Sequence, residues 1–205
     1  MRAAGTPRAA QPPPGRLGPF ARMLVTSDGT VTTLLEELAG ETIRLADLQH
    51  GGPAPAGALA ALTDGIGCGP VLNRCTLLVG AVSGTTLVRA RSVLAAEALP
   101  WPVHQDLTTT AEPIGRVLRR RRVETFRELL FSRALFAGEE PDPLDGAADA
   151  APPRGPDQAV TGALRIYRVF IGGRPAMVVG EVFTTACLRL GDAPGPDEPR
   201  SMTIT

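Results

Sequence analysis

The chain has 205 residues, 43% of them hydrophobic, with 21 basic residues balanced by 21 acidic ones. That length buries roughly 70% of its extended-chain surface in one compact domain, and a zero net charge supplies no overall field to draw nucleic acid or an anionic membrane. Every basic residue is an arginine, which removes lysine chemistry such as a Schiff base or a phosphate-loop lysine.

Residues 1–19 are rich in Pro, Ala and Arg without a continuous apolar stretch, so they read as a disordered leader, neither a secretory signal nor a membrane anchor. The folded domain is expected over 20–190 and a tail over 191–205. Its first element is a short helix: Asp28 and Thr30 are good capping types, Val31, Leu34, Leu35 and Leu38 recur at helical spacing, and Gly40 is a C-terminal stop. Glu41 to Leu48 then alternates as a strand, with Ile43, Leu45 and Asp47 on one side. His50 to Pro70, dense in Gly and Pro around a small Ala/Leu cluster, reads as a loop able to act as a lid.

Val71–Gly80 and Thr86–Ala95, joined by the turn 81–85, predict a hairpin whose strands are apolar on both faces and so lie inside the protein. From Glu112 to Ala134 the apolar residues Ile114, Val117, Leu118, Phe126, Leu129 and Leu130 predict one long helical stretch, kinked near Val123. The segment Ala137 to Ala159, mostly Pro, Gly, Ala and acid without periodicity, reads as a disordered insertion (about 138–159) whose removal leaves stability untouched. Leu164–Ile171, the pair Gly172-Gly173 and Arg174–Thr184 form the clearest hairpin. Strands paired as hairpins run antiparallel, so the class is α+β, a single domain with a central antiparallel sheet flanked by helices.

Two charges stand out because their surroundings are apolar. Arg74 sits mid-strand on a face shared with Leu72, Thr76 and Leu78; Glu181 shares its face with Met177, Val179 and Phe183. An unpaired buried ion is too costly for an ordinary fold, so each needs a counter-charge or a ligand. A structural ion pair satisfies that demand; so does a small anion held between them.

Other features weigh less. The run Arg119–Arg122 is a solvated helix face rather than a nucleic-acid site, given the balanced charge. Gly80-Ala-Val-Ser-Gly84 misses the nucleophile-elbow pattern. His50 and His104 lie in expected loops without metal-ligand spacing, and Trp101, between two prolines, reads as a packing anchor. Cys68, Cys75 and Cys187 make no C-x-x-C pair, giving neither a disulfide framework nor a zinc site, and fit a reducing cytoplasm.

Five segments, in order, carry a resemblance: Leu24-Val-Thr-Ser-Asp-Gly-Thr-Val-Thr-Thr-Leu-Leu-Glu36, Asn73-Arg-Cys-Thr-Leu-Leu78, Arg89-Ala-Arg-Ser-Val-Leu94, Glu112-Pro-Ile-Gly-Arg-Val-Leu118 and Gly173-Arg-Pro-Ala-Met-Val-Val-Gly-Glu-Val-Phe183. Together they resemble the chorismate pyruvate-lyase family over most of the span from Phe20 to Cys187. The resemblance implies a ligand buried under helical flaps and cleavage of chorismate to 4-hydroxybenzoate and pyruvate, without metal or organic cofactor. It implies that Arg74 holds the ring carboxylate, with backbone groups at Val31 and Ile114 completing that site, and that Glu181 meets the ring hydroxyl at the other end. For the substrate's second carboxylate Arg91, on the neighbouring strand, is favoured over Arg116. A small-molecule substrate is thus the expected partner, with no nucleic acid, no membrane and an open oligomeric state. The product is expected to feed a specialised aromatic metabolite. Two alternatives stay open: a non-catalytic module that binds a small aromatic acid, and a same-fold enzyme for another acidic metabolite.

Overall fold

Six strands, β1 (Ile43–His50), β2 (Val71–Gly80), β3 (Thr86–Ala95), β4 (Thr125–Phe136), β5 (Val160–Ile171) and β6 (Arg174–Thr184), form one antiparallel sheet in the order β1-β2-β3-β6-β5-β4. A computed structural model describes residues 17–28, 31–51, 54, 56–57, 69–144 and 158–192. Most of the expected leader, lid and tail, and residues 145–157 of the expected insertion, lie outside those residues, as does Cys68. Both predicted hairpins are present. Gly172 and Gly173, with φ of 57° and 76°, make the two-residue turn between β5 and β6, a left-handed pair that matches the twist of the strands.

Helices cover one face of the sheet: α1 (Pro19–Thr26), α2 (Val31–Ala39), α3 (Trp101–Thr109), α4 (Ile114–Arg120) and the single turn α5 (Thr185–Arg189). The predicted α2 ends at Gly40, whose φ of 65° lets its N–H bond back to Glu36 O. Neither α1 nor α3 was expected. Trp101 opens α3 instead of anchoring a loop; it is 71% exposed, and its ring stacks on His104 of the same helix at 5.8 Å.

The long helix expected over 112–134 is a short helix followed by a strand. Arg122 adopts φ 53°, Val123 N–H bonds back to Leu118 O, and α4 stops there without the glycine that usually marks such an end. The following β4 imitates helical spacing because of a bulge between Leu129 and Phe131, which shifts the two-residue alternation by one. The apolar residues then fall at intervals of three and four in sequence while alternating across a pleated edge strand.

Register divides the helix-covered face into cross-strand rows. Leu78, Val88, Phe183, Ala163 and Ala134 make one row and join the apolar cluster under α1 and α2. Leu94, Met177 and Val169 belong to another, under α3 and α4. Between these two cores run the rows Arg74, Ser92, Val179, Tyr167 and Thr76, Ala90, Glu181, Arg165, so the polar groups form a strip with an apolar cluster at either end.

The opposite face corrects the reading of the first part of the insertion, residues 138–144, as a removable linker. Leu144 is buried with Val93, Leu164, Ile166, Val178 and Val182, and Asp142 pairs with Arg91. Glu139 bonds Arg133 and Phe136 N–H. Gly180 is what lets this segment lie down: a Cβ there would come within 2.0 Å of Pro143 O. Leu17, inside the stretch read as a leader, is likewise buried in the core.

Candidate functional site

The polar strip borders a cavity of about 60 Å³ between the sheet and the first residues of α2 and α4. Its floor is Ala90, Ser92, Val179, Glu181, Tyr167 and Val169; Val31 and Thr32 of α2 and Pro113, Ile114 and Gly115 at the start of α4 close it from above. No helix-internal acceptor serves the first N–H groups of a helix, and the first residues of both helices line this space.

Arg74 flanks it. The side chain is 1% exposed, and Nη2 donates to Glu112 O at 3.3 Å, beside the lining residue Pro113. Its Nε and Nη1 are buried with no acceptor. Burial pushes the guanidinium down to about 10, which still leaves it cationic at neutral pH. Arg74 is not itself part of the lining; its register partner Ser92 is. Among the described residues no carboxylate pairs with this buried cation, so the expectation of a structural ion pair is not met at Arg74.

Glu181 meets the other expectation. It is 7% exposed and pairs with Arg165, whose Nε donates to Glu181 Oε2 at 2.6 Å. Tyr167 OH donates to Oε1 at 3.2 Å. Arg165 in turn donates Nη1 to Leu24 O at 2.8 Å and Ser27 O at 2.7 Å, tying the carboxylate to the end of α1. Burial alone would lower Arg165, but the Glu181 charge and its hydrogen bond hold it above its ordinary value. Tyr167 is raised, first by burial and then by Glu181, so its phenol stays a donor. A carboxylate has about four acceptor positions, and two of Glu181's face protein donors, leaving capacity toward the cavity it lines.

The sequence matches the family described as "Chorismate pyruvate-lyase Rv2949c-like" over residues 25–190. Curated relatives called "Chorismate pyruvate-lyase" include one from Mycobacterium leprae (strain TN), 31% identical over 162 residues, covering 79% of this chain and 72% of that one. Another, from Mycobacterium tuberculosis (strain ATCC 25618 / H37Rv), is 30% identical over 183 residues, covering 87% and 85%. The chain belongs to the chorismate pyruvate-lyase family. Among solved structures, PhnF from Mycobacterium smegmatis matches with a TM-score of 0.47 and 16% identity over 78% of this chain, which spans 65% of that protein.

Of the residues that the family resemblance singles out, Val31, Ile114 and Glu181 line one cavity and Arg74 borders it. Arg91 and Arg116 are elsewhere. Arg91 is one residue from Ser92, so strand alternation turns it to the opposite face, where it bonds Asp142 Oδ2 at 2.7 Å and Asn73 Oδ1 at 3.4 Å. Arg116 follows two lining residues of α4 but reaches Glu36 Oε1 at 2.5 Å and Ile43 O at 3.2 Å, fastening α4 to α2 and β1. Both expectations for the second carboxylate are therefore corrected. Two residues of the run Arg119–Arg122 are engaged: Arg120 and Arg121 both bond Asp106, and Arg120 bonds Glu112.

Two site residues escaped the sequence reading. Arg165 carries the same signal as Arg74 and Glu181, a charge inside an apolar strand, and was open to notice. Arg127 also lines the cavity, but its segment looked helical. Among the described residues no group of three or more His, Cys, Asp and Glu is placed to hold a metal ion, and no helix is long and apolar enough to cross a membrane.

Proposed function

We propose that the cavity binds chorismate and converts it to 4-hydroxybenzoate and pyruvate. The observation that carries this reading is the pair of unanswered guanidinium donors of Arg74, Nε and Nη1, on one flank of the cavity, with a carboxylate fixed by Arg165 and Tyr167 on its floor. Family membership supports the substrate class.

In this reading the ring carboxylate accepts a charge-assisted hydrogen bond from Arg74 Nε or Nη1, and the N–H groups at Val31 and Ile114 add donors at the same end. The ring then lies along the apolar floor of Ala90 and Val179, and its 4-hydroxyl donates to Glu181. Holding both ends fixes the ring plane and presents the C3–O ether bond in one orientation, which removes orientational entropy from the barrier.

The reaction breaks the C3–O bond and releases the C4 hydrogen as a proton; the electron pair closes the third ring double bond. The departing enolpyruvate takes a proton at its methylene carbon and becomes pyruvate. The balance is redox-neutral, and aromatisation supplies the driving force. What the protein contributes is positioning and stabilisation of charge, with Glu181 drawing positive character onto the C4 hydroxyl as the ether leaves.

Incubating the purified protein with chorismate and following both products tests the proposal. Equal amounts of 4-hydroxybenzoate and pyruvate are expected. Absence of pyruvate ends it, and tight binding of 4-hydroxybenzoate without turnover would favour a binding module instead.

A further inference from the structure

Chorismate carries a second carboxylate on the enolpyruvyl arm at C3, next to the C4 hydroxyl. If Arg74 takes one end of the ring and Glu181 the other, that arm starts beside Glu181 and runs away from Arg74. We propose that Arg127 is the cation that receives it, and thereby the residue that distinguishes the dicarboxylate substrate from its monocarboxylate aromatic product. This inference rests on the reading of the cavity as a chorismate site.

Four observations support it. Among the described residues Arg127 is the one arginine that lines the cavity. Its position on β4, opposite Val169, puts it on the same face as the polar strip, on the flank opposite β2 and Arg74. Its guanidinium carbon lies 5.9 Å from the centre of the Tyr167 ring, and the hydroxyl of that ring bonds Glu181 Oε1. A path from the C3 arm beside Glu181 therefore leads across Tyr167 to Arg127.

The last observation concerns its hydrogen bonds. Arg127 Nη1 donates to Asp28 O, in the connection between α1 and α2, which orients the planar group. Its Nε is buried with no acceptor. A buried donor left unmade costs free energy that an incoming carboxylate relieves, and the Nε edge of a guanidinium accepts a carboxylate through two parallel bonds. The other arginines near the strip do not offer this. Arg165 holds Glu181 and the backbone oxygens of Leu24 and Ser27, Arg116 holds Glu36, and Arg91 faces away.

The product lacks the arm, so an Arg127 variant separates substrate from product. Arg127→Ala is expected to lower kcat/KM for chorismate roughly tenfold to a hundredfold, the range of one charge-assisted contact, while the dissociation constant for 4-hydroxybenzoate changes less than twofold. Arg127→Lys, which keeps the charge but not the fork, should recover part of the loss. A role limited to tethering Asp28 would weaken both ligands together and give no rescue; that result, or an unchanged kcat/KM, overturns the inference. Titration of chorismate at low temperature, before turnover, gives the same comparison by binding. Wild-type protein that turns over chorismate while Arg127→Ala behaves as wild type refutes Arg127 alone. Wild-type protein that neither binds nor cleaves chorismate refutes the lyase reading and this inference with it.

Discussion

Arg165 and Glu181 stand directly opposite each other on β5 and β6, joined at 2.6 Å, and both are almost wholly buried. The pair is the rigid half of the site. Its bonds to Leu24 O and Ser27 O link the carboxylate to the helix that leads into α2, so the orientation of Glu181 and the position of the cavity roof depend on one guanidinium.

Removing one partner strands the other's charge. Arg165→Met should cost about 3–5 kcal/mol, whereas Arg165→Met combined with Glu181→Leu should regain most of that, since a packed apolar pair often equals a buried ion pair. Urea unfolding of the two single variants and the double variant checks this; additive losses would contradict it. Glu181→Gln keeps an acceptor for Tyr167 and should lower kcat far more than it weakens 4-hydroxybenzoate binding. Turnover at the wild-type rate would remove Glu181 from the chemistry.

Arg74 is the opposite case, a buried cation without a counter-charge among the described residues. Arg74→Met should abolish detectable turnover, a loss of at least about a hundredfold for a charge-assisted contact, while stability stays within about 1 kcal/mol of wild type or rises. Parallel rate and unfolding measurements test the split. A severe loss of stability would assign Arg74 a structural role instead.

The segment after β4 is predicted to hold the outer face together. Leu144→Ala should cost about 2–4 kcal/mol, as for other buried leucines, and deletion of 138–158 should destabilise the fold strongly. Thermal unfolding distinguishes this from the behaviour of a linker, for which both changes would be silent.

Asp106 gives a pH signature. The hydrogen bond from Arg121 and the charges of Arg120 and Arg121 outweigh its partial burial and hold its carboxyl at about 2, below the ordinary aspartate value. A depressed folded-state value means that its contribution is fully present above about pH 4 and fades as the pH falls toward 2. Asp106→Asn should therefore be less stable than wild type at pH 7, with the gap narrowing below pH 4. A gap that persists unchanged through that window would exclude the charge interaction as its source.

Much of this arrangement was legible in the sequence because strand alternation is a strict count. Arg74 and Glu181 were found as charges in apolar strands, and their faces followed from parity. The count fails where a strand carries a bulge. From the Gly172-Gly173 turn, unbroken pairing would set Leu164 against Glu181; the irregularity between Val169 and Phe170 sets Arg165 there instead. The bulge in β4 hid Arg127 by the same physics, since it made an edge strand look helical. Arg91 was misjudged for a different reason: its place on the strand neighbouring Arg74 was given more weight than the alternation that turns it to the opposite face. Leu144 gave no periodic signal, being one apolar residue in a Pro- and acid-rich segment, and only its partners on the outer face reveal its role.

A crystal structure of the protein with 4-hydroxybenzoate tests the central claim most directly. The account predicts one molecule between α2, α4 and the sheet, its carboxylate within about 3 Å of Arg74 Nε or Nη1 and its phenol oxygen on Glu181. A ligand bound in the reverse orientation, or outside this cavity with Arg74 still unanswered, would contradict it.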